Sequence, residues 1–280
     1  LSPQIFGICD HPLPWVWEKA FMKVRILGCY GGQLAGFSLT SLLVDGELLI
    51  DCGAATSTLT LEEQHGIRSI FITHTHLDHI KDIAFLADNR SLKNLVASNS
   101  YPHFDLYGSQ WVIDVLKQDF LNDRIWPDFT KIPTLETGIL KLHPVPILQP
   151  HDFGSVRLIP VPVNHPVPTT GVILDDGNAQ LVFTADSGPT DPLWEAANKL
   201  PNLKGVIIDT SFPNRYRKLA LISGHHTPET MADEVRKLSK DVPVYLTHMK
   251  PETLDTLLEE VYALDLPNVR PLRQGETLVL

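Results

Sequence analysis

Within six residues, His74-Thr75-His76-Leu77-Asp78-His79 places three imidazoles and a carboxylate directly after a short apolar, β-branched run, residues 68–73 (RSIFIT). Such a run reads as a strand, so the polar cluster is expected at a strand end. In extended chain, residues i and i+2 project to one side, which lets His74 and His76 grip one ion. The chain is then expected to turn, so that Asp78 and His79 face a second. Histidine and carboxylate ligands suit zinc, iron or manganese. A chain of 280 residues buries enough core to fold without a metal staple, so any metal here is expected to be catalytic.

The rest of the chain alternates short strands and helices. Strands are expected over residues 23–29, 42–44, 47–51, 156–163, 171–174, 180–184, 205–208, 242–247 and 276–280. Asp45-Gly46 and Asp176-Gly177 mark hairpin turns. Helices are expected over residues 80–92, 109–120 and 252–264. Another begins at Thr227-Pro228-Glu229, with Thr as N-cap and Pro at the first helical position. Residues 122–154, rich in proline and glycine, read as loops with short strands such as residues 139–142. Hairpins come first in each half and strand–helix units follow. That order predicts an α/β fold of two mixed sheets face to face with helices outside, a four-layer α/β/β/α sandwich.

The expected organisation is an N-terminal extension or arm over residues 1–21 and one catalytic domain over residues 22–280. The first segment has two acids, three prolines and no basic start, so it is a poor signal peptide. It reads as an upstream extension, or as an ordered arm anchored by Trp15 and Trp17. No apolar stretch reaches the ~20 residues a membrane span needs. Cys9, Cys29 and Cys52 are odd in number and widely spaced, which fits a reducing, cytoplasmic setting; Cys29 and Cys52 are expected as buried thiols. The formal net charge of −10 argues against long nucleic acid, which demands many Lys and Arg.

HTHLDH after a strand resembles the signature of the metallo-β-lactamase superfamily. The resemblance covers most of residues 23–250 and implies further pieces, each with a match here. Asp51 in LLIDCG matches the strand-end acid that orients the ligand loop. His165 in VPVNHP matches the third histidine of the first metal, and Asp186 in FTADSG the bridging carboxylate. His248 in LTHMKP matches the last histidine of the second metal. The implied metal set is thus His74, His76, Asp78, His79, His165, Asp186 and His248, holding two divalent ions, zinc first, with manganese or iron as alternatives. Asp51 is expected to hold a ligand histidine by its other ring nitrogen. His11, His65, His103, His143 and His151 are expected at the surface or in loops.

Two such ions, set against two carboxylates and one hydroxide, leave a charge of about +1 at the pocket if the histidines are neutral, so an anionic substrate is expected inside an acidic protein. Ser223 to Pro228 (SGHHTP) precedes a predicted helix, and its backbone N–H groups are expected to favour a phosphate. His225 is placed to protonate a leaving alkoxide, and His226 is expected as an exposed loop residue. This GHxTP segment, Gly31-Gly32 with Gly36 and Thr40-Ser41, and HxHLDHI are similar to class II cyclic-nucleotide phosphodiesterases. The sequence departs from that pattern at Asp82, where a small residue, usually Gly, is usual. The region is also similar to tRNA 3′-processing endonucleases. The resemblance implies hydrolysis of 3′,5′-cyclic AMP or GMP to 5′-monophosphates by metal-bridged hydroxide, with Asp78 and His225 as catalytic groups, and a small anionic phosphodiester as partner. Members of the superfamily are often homodimers. The alternatives are a phosphodiesterase of RNA ends or other cyclic phosphates, a thioester, lactone or lactam hydrolase, and a non-hydrolytic di-iron redox protein. Trp126, Phe129 and Phe212 are candidates for stacking on a base.

Overall fold

The computed structural model describes residues 21–96 and 102–280; the expected arm with Trp15 and Trp17 lies outside the described residues. The first half contains β1 (Lys23–Gly28), β2 (Ser41–Val44), β3 (Leu48–Ile50), α1 (Ala55–Thr58), α2 (Leu61–Gly66), β4 (Ser69–Ile72), α3 (Leu77–Val96), β5 (Phe104–Gly108), α4 (Gln110–Val115) and β6 (Leu140–Pro144). The second contains β7 (His151–Phe153), β8 (Val156–Val163), β9 (Thr169–Asp175), β10 (Gln180–Phe183), α5 (Pro192–Lys199), β11 (Leu203–Asp209), α6 (Arg217–Ser223), α7 (Pro228–Val235), β12 (Val244–Thr247), α8 (Leu254–Ala263), β13 (Val269–Pro271) and β14 (Thr277–Val279). They form two seven-stranded mixed sheets, ordered β14-β1-β2-β3-β4-β5-β6 and β13-β12-β11-β10-β9-β8-β7.

Strand alternation sorts the apolar residues into layers. In β3, Leu48 and Ile50 join Phe71, Leu174 and Phe183 between the sheets, whereas Leu49 faces the opposite way, toward Ile80, Ile83 and Ala87 of α3. In the second sheet, Val206 and Ile208 face Leu193, Met231 and Leu257 of the outer helices, while Ile207 points to the middle. Three apolar layers between two sheets and two helical faces make the expected four-layer sandwich.

Local chemistry sets the turns and helix starts. Asp45 and Gly46 have φ of 49° and 77°, as a tight hairpin matched to strand twist requires. Thr60 and Glu63 form a capping box at α2, and Thr227 caps α7 with Pro228 behind it. Two expectations need correction. The helix expected from residue 80 starts at Leu77, so Asp78 and His79 stand on its first turn rather than beyond a bend; a carboxylate is favoured there by the unpaired N–H groups. Residues 122–154 do more than loop over one end, because β6 and β7 are the edge strands of the two sheets. Short helices α2, α5 and α6 and strand β5 went unassigned from sequence, each lacking a long periodic run.

Phe71 is fully buried between the sheets, three residues before His74. Phe71→Ala is expected to lower unfolding free energy by about 3–5 kcal/mol. Denaturant unfolding in chelator-treated buffer, where bound metal does not contribute, would measure the loss.

Candidate metal centre

All of the sequence-identified site residues come from one end of the sandwich, where the strands of both sheets run out. Asp51 follows β3, His74 follows β4, His165 follows β8, Asp186 follows β10 and His248 follows β12. Asp51, Ala185 and His248 have φ of 55°, 54° and 61°, a left-handed conformation costly for residues with a Cβ. Three such residues beside one cluster show that the surrounding sheets impose the geometry.

The seven side chains fall into two sets that share Asp186. His74, His76, His165 and Asp186 bring one ligand atom each within 4.8 Å of one another, and so do Asp78, His79, Asp186 and His248. Asp186 Oδ2 stands 3.6 Å from His74 Nε2, 3.3 Å from His79 Nε2 and 3.1 Å from His248 Nε2. Asp78 Oδ2 is 3.3 Å from His248 Nε2. His165 Nε2 and His76 Nδ1 are 3.2 Å apart, close to the roughly 3.3 Å expected of two nitrogens bound tetrahedrally to one zinc. His74 Nε2 and His79 Nε2 are buried without a hydrogen-bond partner. Buried ring nitrogens aimed at a carboxylate, yet not hydrogen-bonded to it, fit a cation between them. The residues present therefore suit divalent metal ions.

Each of five inner histidines is held from behind through Nδ1. His79 Nδ1 meets Asp51 Oδ2 at 2.8 Å, and His74 Nδ1 meets Thr73 Oγ1 at 3.1 Å. The Thr73 hydroxyl in turn donates to Asp51 at 2.9–3.0 Å. His165 Nδ1 meets the Gly224 carbonyl at 3.0 Å, His225 Nδ1 meets Asp209 Oδ2 at 2.6 Å, and His248 Nδ1 meets Ser211 Oγ at 2.9 Å. Partners of this kind fix the ring and its tautomer and leave Nε2 facing inward.

Charge follows the same layout. Burial, with the neighbouring imidazole of His79, holds His74 well below the usual histidine range. His79 is equally buried, but Asp186 and Asp51 outweigh burial and push it well above that range. Burial alone would raise Asp186; the charges of His248 and His79 carry it well below the carboxylate range.

Glycines admit the close approaches. A Cβ on Gly31 would lie 2.5 Å from the His248 ring, and one on Gly224, at φ 69°, would lie 2.8 Å from His165 Nδ1. These contacts account for Gly31 in the glycine-rich segment and for the Gly of GHHTP.

That segment does not cradle an anion with its backbone. The N–H groups of Gly224, His225, His226, Thr227, Glu229 and Thr230 already donate to Leu221 O, Ala220 O, Asp209 Oδ1, Thr227's neighbour Thr230 Oγ1, Asn214 Oδ1 and Thr227 Oγ1 respectively. Its effect is instead to deliver His225, stacked on His248 with ring centres 4.9 Å apart and 5.2 Å from His165. His226, expected to be exposed, is 1% exposed and bonded to Thr230; burial lowers its pKa. Of the stacking candidates, Phe129 and Trp126 pack into the layer beneath α3, Trp126 donating to the Ala84 carbonyl. Phe129 is buried and Trp126 half-buried against the core, and of the three only Phe212 lies beside the cluster, 5.9 Å from His225.

Sequence reasoning missed Asp209, Ser211 and Thr73. Asp209 is wholly buried at the end of β11. The signal was present: GVIID repeats the pattern of LLID and LVFTAD, an acid closing an apolar strand.

A family model described as the beta-lactamase superfamily domain matches residues 47–249. A probable 3′,5′-cyclic-nucleotide phosphodiesterase of Yersinia pestis is 29% identical, across 84% of this chain and 80% of its own. Among solved structures, unliganded yeast PDE1 gives a TM-score of 0.77 at 21% identity, covering 93% of this chain and 100% of that one. The metallo-β-lactamase fold protein YhfI from Bacillus subtilis gives 0.72 at 24% identity, covering 93% and 99%. The two structural likenesses establish the fold, and the family model spans well over half of the sequence: the chain belongs to the beta-lactamase superfamily domain family and is a metallo-β-lactamase-fold hydrolase.

Proposed function

We propose that the chain is a dinuclear-metal phosphodiesterase that hydrolyses 3′,5′-cyclic nucleotides to 5′-monophosphates. The observation that carries this reading is a histidine, His225, held by a buried carboxylate and stacked against a double set of metal-ligand side chains. The Yersinia pestis relative, named for cyclic-nucleotide phosphodiesterase activity, supports the choice of substrate.

In this reading His74, His76, His165 and Asp186 hold one divalent ion, and Asp78, His79, Asp186 and His248 the other. Zinc suits the set, with manganese or iron as alternatives. Two such ions supply charge for a phosphoryl group and lower the pKa of a coordinated water to about 7. The protein's own residues do the rest. The Asp186 carboxylate keeps the two ligand sets together, and Asp51 holds His79 directly and His74 through Thr73. His225 Nδ1 is committed to Asp209, so Nε2 is the nitrogen left for substrate. Burial works against a proton on His225, but the Asp209 carboxylate and its hydrogen bond outweigh it and raise the pKa above the ordinary histidine value. That shift favours a second proton on the ring, at Nε2. As water loses a proton to solvent and forms an oxygen–phosphorus bond, the bond to the 3′ oxygen breaks and the proton on His225 passes to the leaving oxygen; the ring then takes up a proton from solvent. Asp209 steadies the ring throughout.

Three outcomes test the reading. Purified protein reconstituted with zinc, manganese or iron(II) is expected to turn over 3′,5′-cyclic AMP as well as bis(p-nitrophenyl) phosphate. Turnover of the generic ester alone would move the natural substrate elsewhere, and turnover of neither by protein holding two metals per chain would sink the proposal. His76→Ala is expected to lose metal from the first set, and hydrolysis with it, read by elemental analysis beside the assay. His225→Ala should lower turnover by roughly 10²–10⁴-fold while retaining the metal content of the unaltered protein. Equal metal loss in both variants would defeat this division of roles.

A further inference from the structure

Asp209 divides its two oxygens between two histidines. Oδ2 accepts from His225 Nδ1 at 2.6 Å. Oδ1 lies 2.9 Å from the hydroxyl of Ser211. The same hydroxyl is 2.9 Å from His248 Nδ1 and 3.0 Å from the His248 carbonyl. All of these groups are buried.

A serine hydroxyl carries one proton and two lone pairs. An ionised carboxylate and a backbone carbonyl can only accept, and a bond to the charged carboxylate is the strongest open to the hydroxyl, so the Ser211 proton is taken to lie toward Asp209 Oδ1. His248 Nδ1 must then be a donor to Ser211 Oγ, or two lone pairs would face each other in a buried site, which is costly. Neutral imidazole has one N–H, so the proton of His248 sits on Nδ1. Its Nε2 lone pair faces Asp186 Oδ2 at 3.1 Å and Asp78 Oδ2 at 3.3 Å. A lone pair between two carboxylates is stable only with a cation at that place.

The other sheet carries the same device. Asp51 accepts from His79 directly and from the Thr73 hydroxyl, and that hydroxyl meets His74 Nδ1 at 3.1 Å. In each case one wholly buried strand-end aspartate governs two histidines, one by contact and one through a hydroxyl.

We propose that Ser211 is a positioning residue whose hydroxyl relays Asp209 to His248, fixing the tautomer that aims Nε2 at the second ion. Asp209 thereby sets a metal ligand and the proton donor together. The inference rests on His248 being a ligand, as in the proposed function, but not on the identity of the substrate.

The test is zinc binding by competition with a chromophoric chelator, with stoichiometry checked by elemental analysis. In Ser211→Ala, one of the two zinc ions is expected to bind 10–100-fold more weakly, the usual effect of removing a partner of a ligand histidine. The other ion should bind as before, and saturating zinc should restore most of the hydrolysis. In the zinc-loaded unaltered protein, nitrogen-15 NMR should show His248 protonated at Nδ1, with that N–H signal shifted or broadened in Ser211→Ala. A chelator titration unchanged by Ser211→Ala, or a His248 lacking the proton at Nδ1 in the unaltered protein, would overturn the inference. Tight binding of two zinc ions without turnover of cyclic nucleotides would sink only the proposed substrate.

Discussion

One oxygen of Asp186 stands within 3.6 Å of the inward nitrogens of His74, His79 and His248, and the architecture answers to that convergence. A carboxylate taken out of water is unstable unless it is paired and hydrogen-bonded. Here it lies at the junction of two sheets, so neither sheet alone completes its surroundings. His74 follows a strand of the first sheet and His79 stands on α3, the helix that packs on it, whereas His165 and His248 follow strands of the second. The middle layer, with Ile50, Phe71, Leu174, Phe183 and Ile207, thus does more than bury apolar area. It sets the separation of the two groups of side chains.

Precision in such a site depends on residues that never reach the cleft. Asp51 and Asp209 are wholly buried and each spends both oxygens on histidines or on the hydroxyls that hold them. Around them the backbone is strained, with Asp51, Ala185 and His248 in left-handed conformation. Strain of this kind persists only where neighbouring structure over-determines it. Here the determinants are the ladders on either side: β3 pairs in parallel with β4, and β11 in parallel with both β10 and β12. Strands aligned in parallel end together, which brings Asp51 beside Thr73 and Asp209 beside His248.

Sequence made some of this legible and not the rest, for physical reasons. Period-two patterning and the Asp-Gly turns exposed most strands of the middle layer, since alternation is a local property. HTHLDH, His165, Asp186 and His248 were readable because each follows an apolar run, and the structure gathers them. Asp209 follows such a run as well, but a lone strand-end acid looks the same whether it caps a turn or holds a histidine. Ser211 and Thr73 were less legible still, because their importance lies in which hydrogen they give and which they receive. His226 misled for a related reason: beside His225 it has the same local sequence, yet its Nδ1 turns to Thr230, away from the cleft. Trp126 and Phe129 misled because large aromatics fill a core as readily as they flank a ligand.

Asp82 shows how far a departure from the class II pattern reaches. Its carboxylate is buried and accepts from the backbone N–H and the hydroxyl of Thr56, both at 2.8 Å, and from Lys81 Nζ at 2.7 Å. Its own N–H donates to the Cys52 carbonyl, while the Cys52 N–H donates to the carbonyl of His79. Asp82 therefore clamps α1 and the turn after Asp51 onto the first turns of α3. A glycine there would leave the Thr56 groups to find other partners. The departure thus falls on the scaffold next to His79. A charged residue is tolerated at this depth because its carboxylate accepts from three donors, one of them the Lys81 ammonium. It changes how α3 is braced.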